Sequence, residues 1–228
     1  MAIADFNECA LSGKSGAICE AIGGRLVRGY YKFGEEILAN DLVKEFGASR
    51  APVMAALNYL RAEGYLIITP QVGCRVISPK PTEIEDFFFI AGRVQGAMAA
   101  LAAERHEPHE VQFLGLAQQK IAQVAPKEGE MVNAAFVDLV AEFHRQLHIM
   151  SHSKYEAERA SRYWRMSEFF LFNGTMLQIK GGERLAVADA QREAIVAAIA
   201  ARDSDAASRL MEEHVRGKPR RAGVKGCL

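Results

Sequence analysis

Apolar residues recur at three- and four-residue spacing along most of the 228 residues, and the breaks in that pattern mark out the elements. The stretch 37–77 is the most informative. Leu38, Leu42, Val43 and Phe46 share one helical face, and Gly47 breaks it. Ser49 stands where it can N-cap a second helix, and Pro52 falls in that helix's first turn, where a missing N–H costs little. Val53, Leu57 and Leu60 form its apolar stripe, and Gly64 ends it. Two β-favouring runs, 65–69 and 74–77, follow around Gly73. Helix, tight turn, helix and hairpin is the order of a winged helix-turn-helix. There the second helix enters the major groove of DNA and the hairpin lies beside the backbone or minor groove. An earlier helix over 16–28 offers Ile18, Ala21, Ile22, Leu26 and Val27 to the same core, and residues 1–13 have no period and predict a loose arm.

SPKP at 78–81 suits neither helix nor central strand and marks a linker. Beyond it the pattern is helical throughout. Ile84, Phe87, Phe88, Ala91, Val94 and Met98 predict a long helix to about 105. Pro108 opens the next, with Val111, Leu114, Ala117, Ile121 and Val124 inward. Further helices are predicted over 131–150, 155–172, 183–201 and 204–215, the last capped by Asp203 or Ser204. No strand of weight is expected after residue 80. The chain therefore reads as mainly α: an N-terminal winged helix-turn-helix with a small β-hairpin wing, then an antiparallel all-helical bundle. The predicted divisions are 1–78, a linker at 79–82, a helical domain over 83–217 and a flexible tail over 218–228.

Charge changes this picture only when it is divided. The chain is neutral overall, with 28 Lys and Arg against 28 Asp and Glu. Residues 1–80 carry 9 against 8, net +1; 81–215 carry 14 against 20, net −6; 216–228 carry 5 against 0, net +5. The basic end reads as a solvated tail, with non-specific phosphate contact as the sharper alternative. No run approaches eighteen consecutive apolar residues, and no basic segment leads into a long apolar one, so neither a membrane span nor a secretion signal is expected. Cys9, Cys19, Cys74 and Cys227 form no CxxC and read as isolated thiols in a cytoplasmic protein.

The ordered set Leu42, Phe46, Gly47, Ser49, Arg50, Pro52, Val53, Ala56, Leu57, Leu60, Glu63, Gly64, Gly73 and Val76 resembles the DNA-binding domain of the GntR family of bacterial transcription regulators. Met54 and Ala55 stand where that family usually has arginine and glutamate, and Phe33-Gly34 where it usually has Pro-Gly. Phe143-His144, Ile195, Ala198-Ile199, Asp203, Ala207, Met211 and His214 resemble landmarks of FCD, the ligand-sensing domain of the FadR-type branch. The resemblance implies a homodimeric, ligand-responsive regulator that binds operator duplex DNA and no membrane. We read it as a repressor controlled by a small organic acid.

Arg50, early in the recognition helix, is the foremost DNA reader; Ser49, Arg61, the backbone at Gly73, and Arg75 are further candidates. Each has a plainer role: Ser49 as a cap, Arg61 as a surface ion-pair residue, Arg75 as solvated wing surface. Many FCD domains hold a divalent metal such as zinc. The resemblance places its four ligands at Val140, His144, Arg192 and His214. Valine cannot ligate, and arginine has no lone pair to give, so no cofactor is expected. His144, His148 and His152 fall at i, i+4 and i+8, leaving His144 with His148 or His214 as the remaining way to hold a metal. The favoured effector is a carboxylate held by the Arg192 fork, helped by His144 and His214, with Arg162, Tyr163, Trp164 and Arg165 as further pocket candidates of which only some can face inward. Arg192 can instead pair with Asp189. The rival functions are a dimeric regulator whose helical domain is structural or binds only metal, and a metal-dependent enzyme. No Ser-His-Asp order, phosphate loop or HExxH speaks for the enzyme.

Overall fold

The computed structural model describes residues 9–69, 73–174 and 181–219. Most of the expected N-terminal arm lies outside these, as do Cys227 and the basic tail from residue 220. The chain divides into two units, Met1–Lys80 with Glu168–Asn173, and Pro81–Ser167 with Gly174–Leu228.

The first unit runs α1 (Gly13–Val27), β1 (Glu36–Ile37), α2 (Ala39–Glu45), α3 (Arg50–Ala62), β2 (Leu66–Thr69) and β3 (Gly73–Val76). Helices α1 and α2 pack on α3, and α3 packs on β2. Ile18, Ile22, Leu26, Leu42, Val53, Leu57, Leu60 and Val76 are buried between them. The wing strands pair antiparallel, Leu66 opposite Val76 and Thr69 opposite Gly73. A short third strand, absent from the sequence reading, pairs Ile37 with Cys74 and completes the order β1-β3-β2. That strand corrects the expected helix start. Leu38 has extended backbone at the N-cap of α2 and is 57% exposed, so it does not join the core stripe. The segment Glu168–Asn173 belongs to this core: Phe169 meets Phe33 and Tyr65 edge to face at 5.5 and 5.2 Å, and Asn173 Nδ2 donates to the Leu26 carbonyl.

The second unit is built from α4 (Pro81–Arg105), α5 (Pro108–Val124), α6 (Ala134–Met150), α7 (Lys154–Gly174) as far as Ser167, α8 (Glu183–Ala200) and α9 (Ser204–Arg216). Helix α4 begins inside the stretch read as linker, because proline is tolerated at a first helical position. Its most extensive partner is α9. Gly92 and Gly96 let the two approach: a Cβ on Gly96 would stand 2.8 Å from the Ser208 carbonyl oxygen. Helix α8 packs on α9 and α5, and α5 on α6. Asn133 and Asp203 cap α6 and α9, their side-chain oxygens accepting from the N–H groups of Phe136 and Ala206. Beyond the wing, the described residues hold one isolated bridge, between Glu128 and Gly181. Among the described residues no helix is long and apolar enough to cross a membrane.

Candidate functional site

Burying Val53, Ala56, Leu57 and Leu60 fixes which face α3 leaves outward. Arg50, Asn58 and Arg61 are exposed and Met54 half-exposed, at spacings of four, four and three, so they form one stripe. Arg50 opens the helix, and its Nη1 donates to Asn40 Oδ1 at 2.9 Å, which orients the guanidinium. Ser49 occupies the N-cap position, yet its hydroxyl makes no capping hydrogen bond. Gly73 opens β3 with φ 145°, a value few side chains tolerate. Arg75 is exposed on the same strand, opposite Glu36 and Ile67. Asn40 and Asn58 were missed in the sequence. The spacing that marks Met54 also marks Asn58; nothing local marks Asn40.

In the second unit, α6, α7, α8 and α9 bring His144, Trp164, Arg192 and His214 into one buried cluster. The His144 imidazole stacks on the Trp164 indole with centroids 3.5 Å apart, and lies 5.7 Å from the His214 ring at 17°. His144 is fully buried, and among the described residues neither ring nitrogen has a hydrogen-bond partner; the Trp164 N–H, also buried, has none there. Burial holds the His144 pKa well below the ordinary histidine value, and the charges at Lys218, His214, His148 and Arg192 push the same way. The neutral ring therefore offers one donor and one acceptor, both unmet. Arg192 is 3% exposed; its Nε donates to Gln118 Oε1 at 2.8 Å and its Nη2 to Asp189 Oδ1 at 2.9 Å. Gln118 Nε2 donates to the same Asp189 oxygen at 2.7 Å. Burial lowers the Arg192 pKa, against Asp189, which raises it. His214 Nδ1 lies 3.0 Å from Gln191 Oε1.

The three-histidine ladder does not converge. His148 Nε2 donates to Gln95 Oε1 at 2.6 Å, and its Nδ1 accepts from the Ser161 hydroxyl at 3.2 Å. The Gln95 amide is fixed in turn by donation from Nε2 to the Ala160 carbonyl. With both nitrogens engaged and buried, His148 is held neutral, its pKa pushed down to about 3 by burial, Arg165 and Lys218. His152 lies past the end of α6, with φ 49°, and meets Glu110 at 3.0 Å. The i, i+8 relation fails because the helix stops at Met150. Of the four positions implied for a metal, two are imidazoles, and the other two, Val140 and Arg192, have no lone pair to offer. The third position presents the Arg192 cation, and among the described residues no group of three His, Cys, Asp or Glu is placed to hold an ion.

Arg162 and Tyr163, expected in the pocket, are not in this cluster. Arg162 is exposed, and Tyr163 stacks on Phe87 at 5.7 Å. Their neighbour Trp164 faces inward, because consecutive helical residues point about 100° apart. Besides Trp164, the cluster uses Gln118, Gln191 and Lys218, which the sequence did not single out for it. Lys218 places its ammonium 3.1 Å from the Trp164 ring centroid.

Comparison with known proteins bears on both units. The model of bacterial regulatory proteins of the gntR family matches residues 14–76, and the FCD domain model matches 87–217. The HTH-type transcriptional repressor GlaR of Escherichia coli (strain K12) is 24% identical over 191 residues, 83% of this chain and 87% of that protein. An uncharacterized HTH-type transcriptional regulator from Agrobacterium vitis is 24% identical over 105 residues, 46% of this chain and 61% of that one. Among solved structures, E. coli McbR/YncC superposes with a TM-score of 0.76 at 16% identity, covering 93% of this chain and 98% of that one. A candidate GntR regulator from Rhodococcus sp. RHA1 does so at 0.70 and 17%, covering 95% and 100%. At these identities the structures speak for the fold alone.

Proposed function

The chain belongs to the gntR family of bacterial regulatory proteins, in the branch that carries an FCD domain, and on that premise we propose a dimeric repressor released or engaged by a small carboxylate. Its general function is transcription regulation through DNA binding, not catalysis. The observation that supports the finer reading is the buried cluster. Polar atoms sealed from water normally have partners, and those of His144 and Trp164 have none among the described residues. A carboxylate there accepts from the Trp164 N–H, the His144 N–H and the remaining Arg192 donors, while the apolar surroundings hold an organic body. An effector shifts regulation only by binding the DNA-competent and DNA-incompetent states unequally. The relative from E. coli, named a repressor, supports the sign.

Calorimetry with a panel of mono- and dicarboxylates tests this. Wild type binds one of them stoichiometrically, and Arg192→Gln, verified as folded by circular dichroism, weakens that binding at least about tenfold. Protein purified without chelator carries no stoichiometric zinc. Binding indifferent to Arg192, or zinc lost on replacing His144 and His214, contradicts the reading. The Asp189–Arg192 pair favours a second reading, in which the arginine is a structural tie and the helical unit serves dimerisation. A panel of carboxylates that all fail to bind selects that one.

A further inference from the structure

Ten positions apart in the chain, Asn40 and Arg50 meet where the two helices of the helix-turn-helix begin. Asn40 is the second residue of α2 and Arg50 the first of α3, and both are exposed. The turn between the helices is closed by main-chain bonds. The N–H groups of Phe46 and Ala48 donate to the carbonyls of Leu42 and Val43 at 2.9 and 3.2 Å, and Gly47 takes φ 53°. Leu42 and Val53, buried on either side of the turn, fix both helices in the core. The Asn40 backbone is therefore held by the fold, and its amide oxygen accepts from Arg50 Nη1 at 2.9 Å.

We propose that Asn40 is a positioning residue for DNA recognition, holding the Arg50 guanidinium in the pose in which it reads a base and so setting sequence specificity through Arg50. The proposal rests on DNA binding and on Arg50 as the reader, and it is independent of any effector. A long side chain gives up rotamer freedom when it docks, and a guanidinium held in place beforehand gives up less. The holder is also neutral. Arg25, in the same unit, is held by the Glu45 carboxylate through two hydrogen bonds, which offsets its charge. For Arg50 the holder is an amide, and among the described residues no carboxylate pairs with it. Its charge thus stays whole for the electron-rich edge of guanine. The bond to Asn40 engages Nη1, and the fork keeps its Nε and Nη2 donors for a bidentate contact.

Full-length wild type, Asn40→Ala, Asn40→Asp, Arg50→Ala and the Asn40→Ala, Arg50→Ala double variant are compared by anisotropy at fixed salt, with no carboxylate present. The duplexes are the one that wild type selects from a random library, its single-base-pair variants, and scrambled DNA. Circular dichroism verifies folding, which alanine at an exposed helical position leaves intact. In Asn40→Ala the preference for selected over scrambled DNA falls about tenfold. Affinity for scrambled DNA and its salt slope stay at wild-type values, since no charge changes. The discrimination lost lies at the base pair that Arg50→Ala also loses, and the double variant loses no more than Arg50→Ala alone. Asn40→Asp retains an acceptor oxygen, so the preference is kept while the added negative charge weakens both duplexes alike. An unchanged preference in Asn40→Ala, a loss at a different base pair, an equal loss on scrambled DNA, losses that add in the double variant, or a preference lost in Asn40→Asp as in Asn40→Ala overturns the proposal. Carboxylates that fail in calorimetry leave these ratios as they are, and ratios that fail leave carboxylate binding as it is, so the two readings fall separately.

Discussion

Two buried imidazoles set how the second unit responds to acid. His144 and His148 are both held neutral, their pKa values depressed by burial, His148 to about 3. Unfolding restores the ordinary value near 6.5, so the unfolded chain binds more protons below it. The stability they supply is complete above that value and is lost as pH falls toward the folded pKa. Urea denaturation of the full chain at pH 7.5 and pH 5 shows a loss to which His148 contributes about 2 kcal/mol and His144 adds in the same direction. His148→Gln removes one such share and flattens the profile; a profile equally steep in the variant contradicts the assignment. At this scale legibility was uneven. Arg192, His144 and His214 were found because the family resemblance marks their positions. Which of Tyr163 and Trp164 faces inward depends on helix phase, set by contacts with α6. Gln118 reads as ordinary helix surface until Arg192, 74 positions away, meets it.

At the scale of elements, the glycines of the second unit differ sharply in what they allow. Gly96 faces the α9 backbone, so Gly96→Ala forces two main chains apart and costs about 1–3 kcal/mol. Gly115, in α5, has nothing within 4 Å of a Cβ, so Gly115→Ala gains about 1 kcal/mol from helix propensity. Chemical denaturation of the pair gives opposite signs, and like signs contradict the described α4–α9 packing. The recognition helix gives a second test. Arg50→Ala costs about 1–3 kcal/mol of discrimination if the guanidinium reads a base bidentately. Met54→Arg, on the same outward stripe, tightens binding to any duplex and steepens its salt dependence. Anisotropy on operator and scrambled DNA across a salt series checks both; a Met54→Arg salt slope equal to wild type places that stripe away from the duplex. The helices were legible because their period persists over many residues. Strand β1 was not, since two residues carry no period and exist as a strand only by pairing with β3. The end of α6 at Met150 matches the predicted helix, and it leaves His152 two residues beyond the regular i, i+4 rows.

For the whole molecule, the order of elements was legible and the partition less so. Seen along the sequence, 168–173 continues a helix of the second unit, and only spatial contact assigns it to the first. Residues 81–215 carry net −6, and Arg192 lies buried among them. On the proposed function, occupancy of the buried cluster changes DNA binding. It is tested by the anisotropy of a duplex selected by wild-type protein from a random library, with and without the tightest carboxylate of the calorimetric panel. At fixed salt, saturating carboxylate shifts the affinity of wild type for that duplex by about tenfold or more, a coupling of about 1.4 kcal/mol, and leaves Arg192→Gln unmoved. The same duplex affinity in wild type with and without saturating carboxylate, or a panel from which nothing binds, contradicts it.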